Sequence, residues 1–271
     1  MRDRATPRTL QLVGFPRVTA GPRLLRFAAF ELALWAGLYG AYLAVRGFAI
    51  SEPSVAFDHG ARLVGFERTI GLFHEAGAQA ALAWGQSFFS AYYMACFAPL
   101  ILGVLVWLGL RHRDRYRDLR TLLLLSLAIA VVFYVLYPTA PPRLLPGLGI
   151  ADTVGLSGGH DAGSFAGIKF NPYAAMPSMH VGWSLLVGLV GFRTARRLPL
   201  RVFFALHPFV MAMTVTATGN HYFLDSIVGA TVALTAVALV WACGRVVRRR
   251  EAEVVQLRHV AAQEEHARRA A

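Results

Sequence analysis

Long apolar runs alternate with short polar segments along most of this chain. A helix needs roughly 20 mostly apolar residues to cross the hydrocarbon core of a membrane. The pattern therefore predicts six membrane-spanning helices: Leu24–Val45, Leu82–Leu110, Leu119–Tyr137, Ser178–Phe192, Val202–Thr218 and Phe223–Val246. The fourth run is short for a span, so we expect its first residues to lie in a recess below the membrane surface.

Two of the connecting segments are long. The first, Gly47–Ala81, mixes charged with apolar residues, which is typical of one or two short amphipathic helices lying at the membrane interface. The second, Pro138–Pro177, is rich in glycine and proline, and this composition excludes a long helix. Loops of this length are usually functional or disordered, which makes this segment a candidate for carrying functional residues.

The distribution of basic residues predicts the orientation of the helices. The net charge of +12 comes from short clusters between the apolar runs, which is typical of membrane-flanking anchors and disfavours a nucleic-acid partner. Lysine and arginine number 27, and all but five fall on the side that holds both termini. The five on the other side are Arg46, Arg62, Arg68, Arg143 and Lys169. By the positive-inside rule, both termini are cytosolic and both long loops are extracytoplasmic.

Composition favours a membrane protein as well. Of the 271 residues, 56% are hydrophobic and 15% are charged, and the mean hydropathy is +0.49. Soluble domains have about a quarter of their residues charged. Cys96 and Cys243 both lie inside apolar runs, so we expect packing residues and no disulfide. No metal-type spacing occurs, and we predict neither a metal nor a cofactor.

These features predict an all-α, polytopic membrane protein. It would form a bundle of six transmembrane helices, with short interfacial helices in the extracytoplasmic loops. A cytosolic basic N-terminus (1–23) would precede the membrane domain (24–246), and a cytosolic charged tail (247–271) would follow it. We expect the protein to reside in the cytoplasmic (plasma) membrane.

Three polar segments stand at the extracytoplasmic ends of the predicted spans. They are Tyr137–Arg143 after the third, Met176–His180 opening the fourth, and Thr218–Asp225 opening the sixth. An ionisable residue at such a depth is a candidate functional residue. We therefore expect the chemistry of the protein at this end of the bundle.

His221 and Asp225 are spaced i, i+4, which places both on one face if the sixth helix has begun. A carboxylate that accepts a hydrogen bond from one imidazole nitrogen fixes the tautomer. The other nitrogen then presents a lone pair as a nucleophile. The alternative is a structural pair in which Asp225 merely satisfies His221.

His180 follows Ser178 at the head of the fourth run. Ser178 is a suitable N-cap, and the free N–H groups of a helix start suit a phosphate. The His180 imidazole could act as a general acid near neutral pH. An interfacial histidine without a chemical role is the alternative.

Arg143 and Lys169 lie in the same long loop. Phosphoryl transfer needs cations around the phosphate oxygens, and both residues are candidates. The alternatives are an ion pair of Arg143 with Asp152 and a snorkelling Lys169. His160, near Asp161, could also line the site.

Two ionisable residues fall inside the predicted spans. Glu31 must face protein or water, because a carboxylate in lipid is costly. His207, which precedes Pro208, is interpreted as a packing or kink residue.

Taken together, the three segments resemble the type 2 phosphatidic acid phosphatase superfamily. Its motifs read roughly Lys-x6-Arg-Pro, Pro-Ser-Gly-His and Ser-Arg-x5-His-x3-Asp. Residues 177–180, Pro-Ser-Met-His, look like the second motif, and His221 with Asp225 looks like the third. Met179 replaces the glycine, and Val215 stands where the third motif has its arginine. The segments Pro-Pro-Arg (141–143), Ala-Ala-Met-Pro-Ser-Met-His (174–180) and Asn-His-Tyr-Phe-x-Asp (220–225) look more like the branch that includes fungal inositol phosphorylceramide synthases.

The resemblance implies a set of roles. His221 would form a phosphohistidine, Asp225 would orient it, and His180 would act as acid and base. The phosphate-binding residues would be Arg143, Lys169, Ser178 and Asn220. No metal or cofactor takes part in this scheme.

The implied function is that of a membrane lipid phosphatase or phosphotransferase that cleaves a lipid phosphate or phosphodiester on the extracytoplasmic face. Its partners would be the lipid phosphate substrate and membrane lipids, with no nucleic acid and no protein partner. The first alternative is a transferase that moves a phospho-head group, inositol-phosphate-like, to a lipid or polyol hydroxyl. A non-enzymatic transporter or assembly factor ranks lower, because it would need polar residues in the middle of the spans. An extracytoplasmic haloperoxidase is disfavoured because the chain has no soluble domain.

Overall fold

The computed structural model describes residues 26, 29–37, 40, 53–155, 164–165, 168–169 and 171–245. The chain divides into two compact units, Met1–Ala44 and Val45–Ala271. In the first unit, residues 29–37 form a helix (α1), in which Glu31 is buried. The predicted tail 247–271 and most of the predicted N-terminus 1–23 and first span lie outside the described residues.

The second unit is built from helices. They are α2 (Pro53–Thr69), α3 (Glu75–Ala81), α4 (Gln86–Ala95), α5 (Ala98–Arg111), α6 (Arg113–Leu136), α7 (Met179–Thr194), α8 (Leu198–Ala217) and α9 (Phe223–Arg245). Short 3-10 turns occupy Ala83–Gly85 and Pro142–Leu144. Two antiparallel two-residue strands, β1 (Ser164–Phe165) and β2 (Ile168–Lys169), interrupt the second long loop. Apart from these strands, the described residues confirm the all-α class.

Three helices, α6, α8 and α9, are long and apolar enough to cross a membrane. The stretch Ala83–Ala95 and helix α5 pass the same test as a pair, which would make four spans among the described residues. The predicted number of six spans is therefore not confirmed. Helix α7 has only 16 residues, in agreement with the short fourth run. These apolar helices indicate a membrane protein.

The predicted second span, Leu82–Leu110, is not one continuous helix. It is bent by 47° between Ala95 and Ala98. A proline, Pro99, stands in the first turn of α5. Proline has no N–H to continue a helix, and its ring disfavours helical backbone in the residue before it. The break therefore follows from the proline, and the pattern of apolar residues alone does not predict it.

Helices α2 and α3 confirm the short helices predicted in the first long segment. The residues that α2 buries recur at helical spacing and form one stripe: Ala56, Gly60, Leu63, Val64 and Glu67. Leu63 and Val64 pack with Ala175 and Tyr222. Helix α2 therefore covers the segment that leads into α9.

Helices α7 and α9 approach each other closely at two glycines. A Cβ at Gly182 would lie 2.6 Å from the carbonyl oxygen of Gly229. A Cβ at Gly229 would overlap the backbone of Ser178. The absence of side chains at both positions allows the start of α7 to lie directly against α9.

The chain passes repeatedly from one end of the bundle to the other. Helix α7 packs against both α6 and α8. The C-termini of α6 and α8 and the N-termini of α7 and α9 form one end. There Tyr134 of α6 donates to the Pro177 carbonyl, and the Ser178 N–H donates to the Asp225 carbonyl of α9. That end holds the three polar segments. The three polar segments therefore lie at the same end of the bundle, as expected from the sequence.

Candidate active site

His221 lies two residues before α9, and its ring is held by two acceptors. Its Nδ1 is 2.9 Å from the carbonyl oxygen of Ala175 and 3.2 Å from Oδ2 of Asp225. A carbonyl oxygen can only accept a hydrogen bond, so Nδ1 carries the hydrogen. In the neutral ring, Nε2 is then the nitrogen with the lone pair. The pairing of His221 with Asp225 is present as expected, and the Ala175 carbonyl strengthens it.

The His221–Asp225 pair is shielded from solvent. His221 is 5% exposed and Asp225 is fully buried. Oδ1 of Asp225 has no hydrogen-bond partner among the described residues. The carboxylate is therefore aimed at the imidazole, and its charge is little screened by solvent.

His180 faces the free nitrogen of His221. Its Nδ1 is 3.3 Å from Nε2 of His221, and the ring centroids are 5.4 Å apart. Because Nε2 of His221 is the acceptor, Nδ1 of His180 is the donor in this contact. His180 is partly exposed, so this side of the site is open to a ligand.

Two aromatic side chains hold the His180 ring. Tyr93 stacks on it with centroids 4.5 Å apart, and the Phe97 centroid lies 3.9 Å away. Tyr93 belongs to α4, and Phe97 lies in the break before α5. Sequence reasoning missed both residues. Their i, i+4 spacing in an apolar run is a signal, but it does not distinguish a site residue from a lipid-facing one.

Ser178 is the N-cap of α7, as predicted. Its hydroxyl accepts a hydrogen bond from the backbone N–H of Val181 at 3.4 Å. Its own N–H donates to the carbonyl oxygen of Asp225 at 2.9 Å. Ser178 thereby ties the start of α7, which carries His180, to the helix that carries Asp225.

Arg143 is bonded to the segment that carries His221. Its backbone N–H donates to the Gly219 carbonyl at 3.0 Å, and its Nη1 donates to Oδ1 of Asn220. Its Nε lies 3.9 Å from Oδ2 of Asp152, so the ion pair considered as an alternative is present. Burial lowers the pKa of Arg143, while Tyr93 and Asp152 act in the opposite direction. The guanidinium is thus a buried cation that is only partly compensated.

Val215 stands at the position of the missing motif arginine and has a packing role. Val215 is fully buried and forms an apolar cluster with Val181 and Met211. Its carbonyl accepts hydrogen bonds from the N–H groups of Asn220 at 2.9 Å and His221 at 3.3 Å. The backbone at this position shapes the His221 loop, but its side chain supplies no charge. The side chain of Lys169, like His160, lies outside the described residues.

Two buried carboxyls that sequence reasoning did not single out bind the start of α9. Oε1 of Glu67 accepts from the N–H of Leu224 at 2.7 Å, and Oε1 of Glu75 accepts from the N–H of Phe223 at 3.0 Å. Glu67 lies on the buried stripe of α2, where an acidic residue is out of place. That mismatch is the signal that could have found it.

The segment that carries Arg143 is held from two sides. The Tyr222 hydroxyl donates to the Ala140 carbonyl at 2.9 Å. The His59 ring stacks on Tyr137 with centroids 3.9 Å apart, and its Nδ1 lies 2.8 Å from the Pro138 carbonyl oxygen. Helix α2 and the start of α9 therefore fix this segment together.

The remaining histidine and cysteine residues considered in the sequence analysis do not contribute to this cluster in the described part of the chain. His207 is buried in α8, its Nδ1 is 2.7 Å from the Tyr92 hydroxyl, and its ring stacks on Phe203, in agreement with a packing role. Cys96 and Cys243 are free. Within the described residues, no group of His, Cys, Asp and Glu side chains has the arrangement of a metal site.

Comparison with known families identifies the chain. A model of the PAP2 superfamily matches residues 61–239, a range that includes Arg143, His180, His221 and Asp225. The chain belongs to the PAP2 superfamily. Membership of this superfamily indicates a phosphatase-type enzyme, and the apolar helices place it among membrane proteins.

A solved structure also aligns with part of the chain. A crystal structure of LpxE from Aquifex aeolicus aligns with a TM-score of 0.44 at 15% identity, and the alignment covers 57% of this chain and 83% of that one. No curated protein matches the sequence.

Proposed function

We propose that this PAP2 protein is a membrane lipid phosphatase that cleaves a phosphate ester through a phosphohistidine on His221. The observation that carries the proposal is the fixed tautomer of His221. Its Nδ1–H is committed to Ala175 and Asp225, so Nε2 presents its lone pair toward His180. A nucleophile beside a group that can deliver a proton is what covalent phosphoryl transfer needs.

In the first step, Nε2 of His221 attacks phosphorus. The N–P bond forms as the bond from phosphorus to the lipid oxygen breaks, and protonated His180 gives its proton to that oxygen. In the second step, neutral His180 takes a proton from water, whose oxygen attacks phosphorus. The N–P bond breaks, and phosphate and free His221 are released. Asp225 stabilises the positive charge that His221 carries while it is phosphorylated.

Cations have to balance the charge on the phosphate oxygens. Arg143 suits this role because it is buried and is held beside His221 through Asn220. We assign Arg143, Asn220 and the N-terminus of α7 at Ser178 to the phosphate, with Lys169 as a further cation. Removing one donor of this kind from an enzyme costs about 10²- to 10³-fold in rate.

The orientation of the site also belongs to the proposal. The arginine-rich joints between α5 and α6 and between α7 and α8 lie at the end of the bundle opposite His221. By the positive-inside rule, these joints are cytosolic, and the site opens on the extracytoplasmic side of the cytoplasmic membrane. The lipid substrate would then come from the outer leaflet.

A transferase is the second candidate. In it, a polyol or lipid hydroxyl replaces water in the second step. The observation that favours it is the apolar Val215 in place of the motif arginine, together with the resemblance to inositol phosphorylceramide synthases. A phosphate monoester lipid labelled at phosphorus, given to the purified enzyme with and without an acceptor alcohol, distinguishes the two activities. Label in free phosphate alone indicates a phosphatase, and label in a new ester indicates a transferase.

The proposal is tested by hydrolysis of a panel of lipids, measured as release of phosphate or, for the diester phosphatidylinositol, release of inositol phosphate. Purified protein in vesicles is given phosphatidate, phosphatidylglycerol phosphate, a prenyl pyrophosphate or phosphatidylinositol. We expect turnover of at least one lipid, its loss in His221→Ala, and its retention in the matched control His112→Ala. His112 lies at the other end of the bundle, between α5 and α6. Equal turnover by His221→Ala and wild type would contradict the mechanism.

A further inference from the structure

Glu67 and Glu75 come from different helices and meet at the start of α9. Glu67 lies near the end of α2, and Glu75 is the first residue of α3. Their side chains accept the N–H groups of two consecutive residues, Leu224 and Phe223. Glu67 is 0% exposed and Glu75 is 1% exposed. Three separate parts of the chain are therefore joined through two carboxyls.

The remaining oxygens of the two carboxyls need a proton. Oε2 of Glu67 and Oε2 of Glu75 are both buried, and neither has a donor among the described residues. The two carboxyls accept from the N–H groups of consecutive residues, so they lie beside each other. Two carboxylates cannot hydrogen-bond to one another, because both only accept. A single proton between them satisfies both Oε2 atoms.

The charges around the two carboxyls also favour the state with one shared proton. Asp225 and Tyr222 face it from the start of α9, and Asp225 adds a third carboxyl. The nearby cation of Arg68 lies over the Phe73 ring, 4.9 Å from its centroid. Burial, the contact with Glu75 and the charge of Asp225 together raise the pKa of Glu67 to about 8. One negative charge remains on the pair, where it suits the positive end of the α9 dipole.

We propose that Glu67 and Glu75 share one proton and, as an acid–carboxylate pair, position His221 and Asp225 by clamping the first turn of α9. They are positioning residues, because they act through the helix start and do not touch the substrate. This inference rests on the proposed function for its effect on activity. The shared proton itself can be tested without any substrate.

The two glutamates act on His221 and Asp225 through the short segment of backbone between these two residues. Phe223 and Leu224 lie between His221 and Asp225, and their N–H groups are the ones bound. A second negative charge on the pair would repel Asp225 and weaken the clamp. We therefore expect the geometry of His221 to depend on that proton.

Glutamine variants test the pair, because an amide supplies the hydrogen that the proton provides. In Glu67→Gln, the amide donates to Glu75 and its oxygen still accepts from Leu224. We expect Glu67→Gln to keep turnover within about threefold of wild type at pH 7, whereas Glu67→Ala loses at least tenfold. A loss in Glu67→Gln as large as that in Glu67→Ala would overturn the shared proton.

Melting temperature against pH provides the second readout. Between about pH 4.5 and 8, native Glu67 holds a proton that the unfolded chain releases. Wild-type stability therefore falls as pH rises through this window, whereas Glu67→Gln has no such loss. The melting temperature of Glu67→Gln should rise relative to wild type between pH 5 and 8. The matched control is Asp58→Asn on the exposed side of α2, which should follow wild type.

The outcomes separate this inference from the proposed function. If the melting temperature of Glu67→Gln follows that of wild type at every pH from 5 to 9, the shared proton is contradicted, whichever substrate the enzyme hydrolyses. If the melting curves diverge as expected but His221→Ala remains active, the pair stands and the mechanism fails. If the curves diverge and Glu67→Ala keeps full turnover, the pair exists but does not position the site, and the positioning role is overturned.

Discussion

Nε2 of His221 and Nδ1 of His180 lie 3.3 Å apart, at hydrogen-bonding distance. A phosphorus atom with its oxygens cannot fit between nitrogens this close. In the proposed mechanism, substrate must separate the two rings and replace their contact with one contact from each to the phosphate. The half-buried His180, which lies against the rings of Tyr93 and Phe97, is the partner that can move, since His221 is held by both Ala175 and Asp225.

The first prediction concerns His180 as a proton donor. His180→Ala should slow the release of a lipid alcohol about 10²- to 10⁴-fold, the usual contribution of general acid catalysis. A good leaving group such as nitrophenol needs no proton, so the same variant should release it much closer to the wild-type rate. Single-turnover kinetics with both substrates measure the two losses. Equal losses with both leaving groups would refute the assignment of His180 as the acid.

A second prediction follows from the two acceptors on Nδ1 of His221. Asp225→Asn removes the charge that stabilises phosphorylated His221, but the Ala175 carbonyl still holds the hydrogen on Nδ1. The tautomer is kept, so the loss in kcat should be about 10- to 10³-fold. It should stay below the roughly 10⁴-fold loss in a protease triad, where the same change alters the tautomer. A loss as complete as that of His221→Ala would show that the Ala175 contact does not maintain the ring.

The third prediction concerns the phosphate cation. Arg143→Ala should lower kcat about 10²- to 10³-fold. Arg143→Lys should recover only part of this loss, since lysine keeps the charge but lacks the planar fork that reaches both Asn220 and a phosphate. Steady-state kinetics on both variants provide the comparison. Arg62→Ala, on the exposed side of α2, is the matched control and should be as active as wild type. Unchanged kcat in Arg143→Ala would remove this residue from the site.

A fourth prediction concerns the packing of α7 on α9. Gly229→Ala places a methyl group into the backbone of Ser178, which must move the helix that carries His180. Overpacking of this kind costs about 1–3 kcal/mol, so melting temperature and activity should both fall. Gly103→Ala in α5 is the control, because its Cβ would meet nothing within 4 Å. Wild-type stability in Gly229→Ala would mean that the two helices are not in close contact here.

The sequence alone was sufficient for much of the fold, because its signals are local. Apolar runs predicted α6, α8 and α9 to within a few residues, except that α6 begins six residues earlier than expected, within its arginine-rich turn. The short fourth run and the N-cap at Ser178 also agree with the structure. The bend at Phe97 was missed because an apolar pattern is the same for a straight and a broken helix. The number of spans remains a prediction.

The site was predictable where its parts are close in the chain or belong to a motif. The His221–Asp225 pair follows from i, i+4 spacing, and motif order pointed to His180 and Arg143. The acceptor role of the Ala175 carbonyl, the Tyr93 ring and the Glu67–Glu75 pair were not predicted. The contact of Ala175 with His221 joins residues 46 positions apart, and that of Glu67 with Leu224 joins residues 157 positions apart. Their geometry depends on how α2, α3 and α4 pack against α9 and α7. No periodicity in a single sequence encodes such packing.

The proposed mechanism transfers phosphate to Nε2 of His221. It is tested most directly by mixing the enzyme with phosphate-labelled lipid and quenching in alkali, where phosphohistidine survives. We expect base-stable, acid-labile label on His221 in the wild type and none in His221→Ala. A variant in which water attacks the phosphohistidine more slowly should accumulate more of this label. Label on another residue, or turnover by His221→Ala without label, would contradict it.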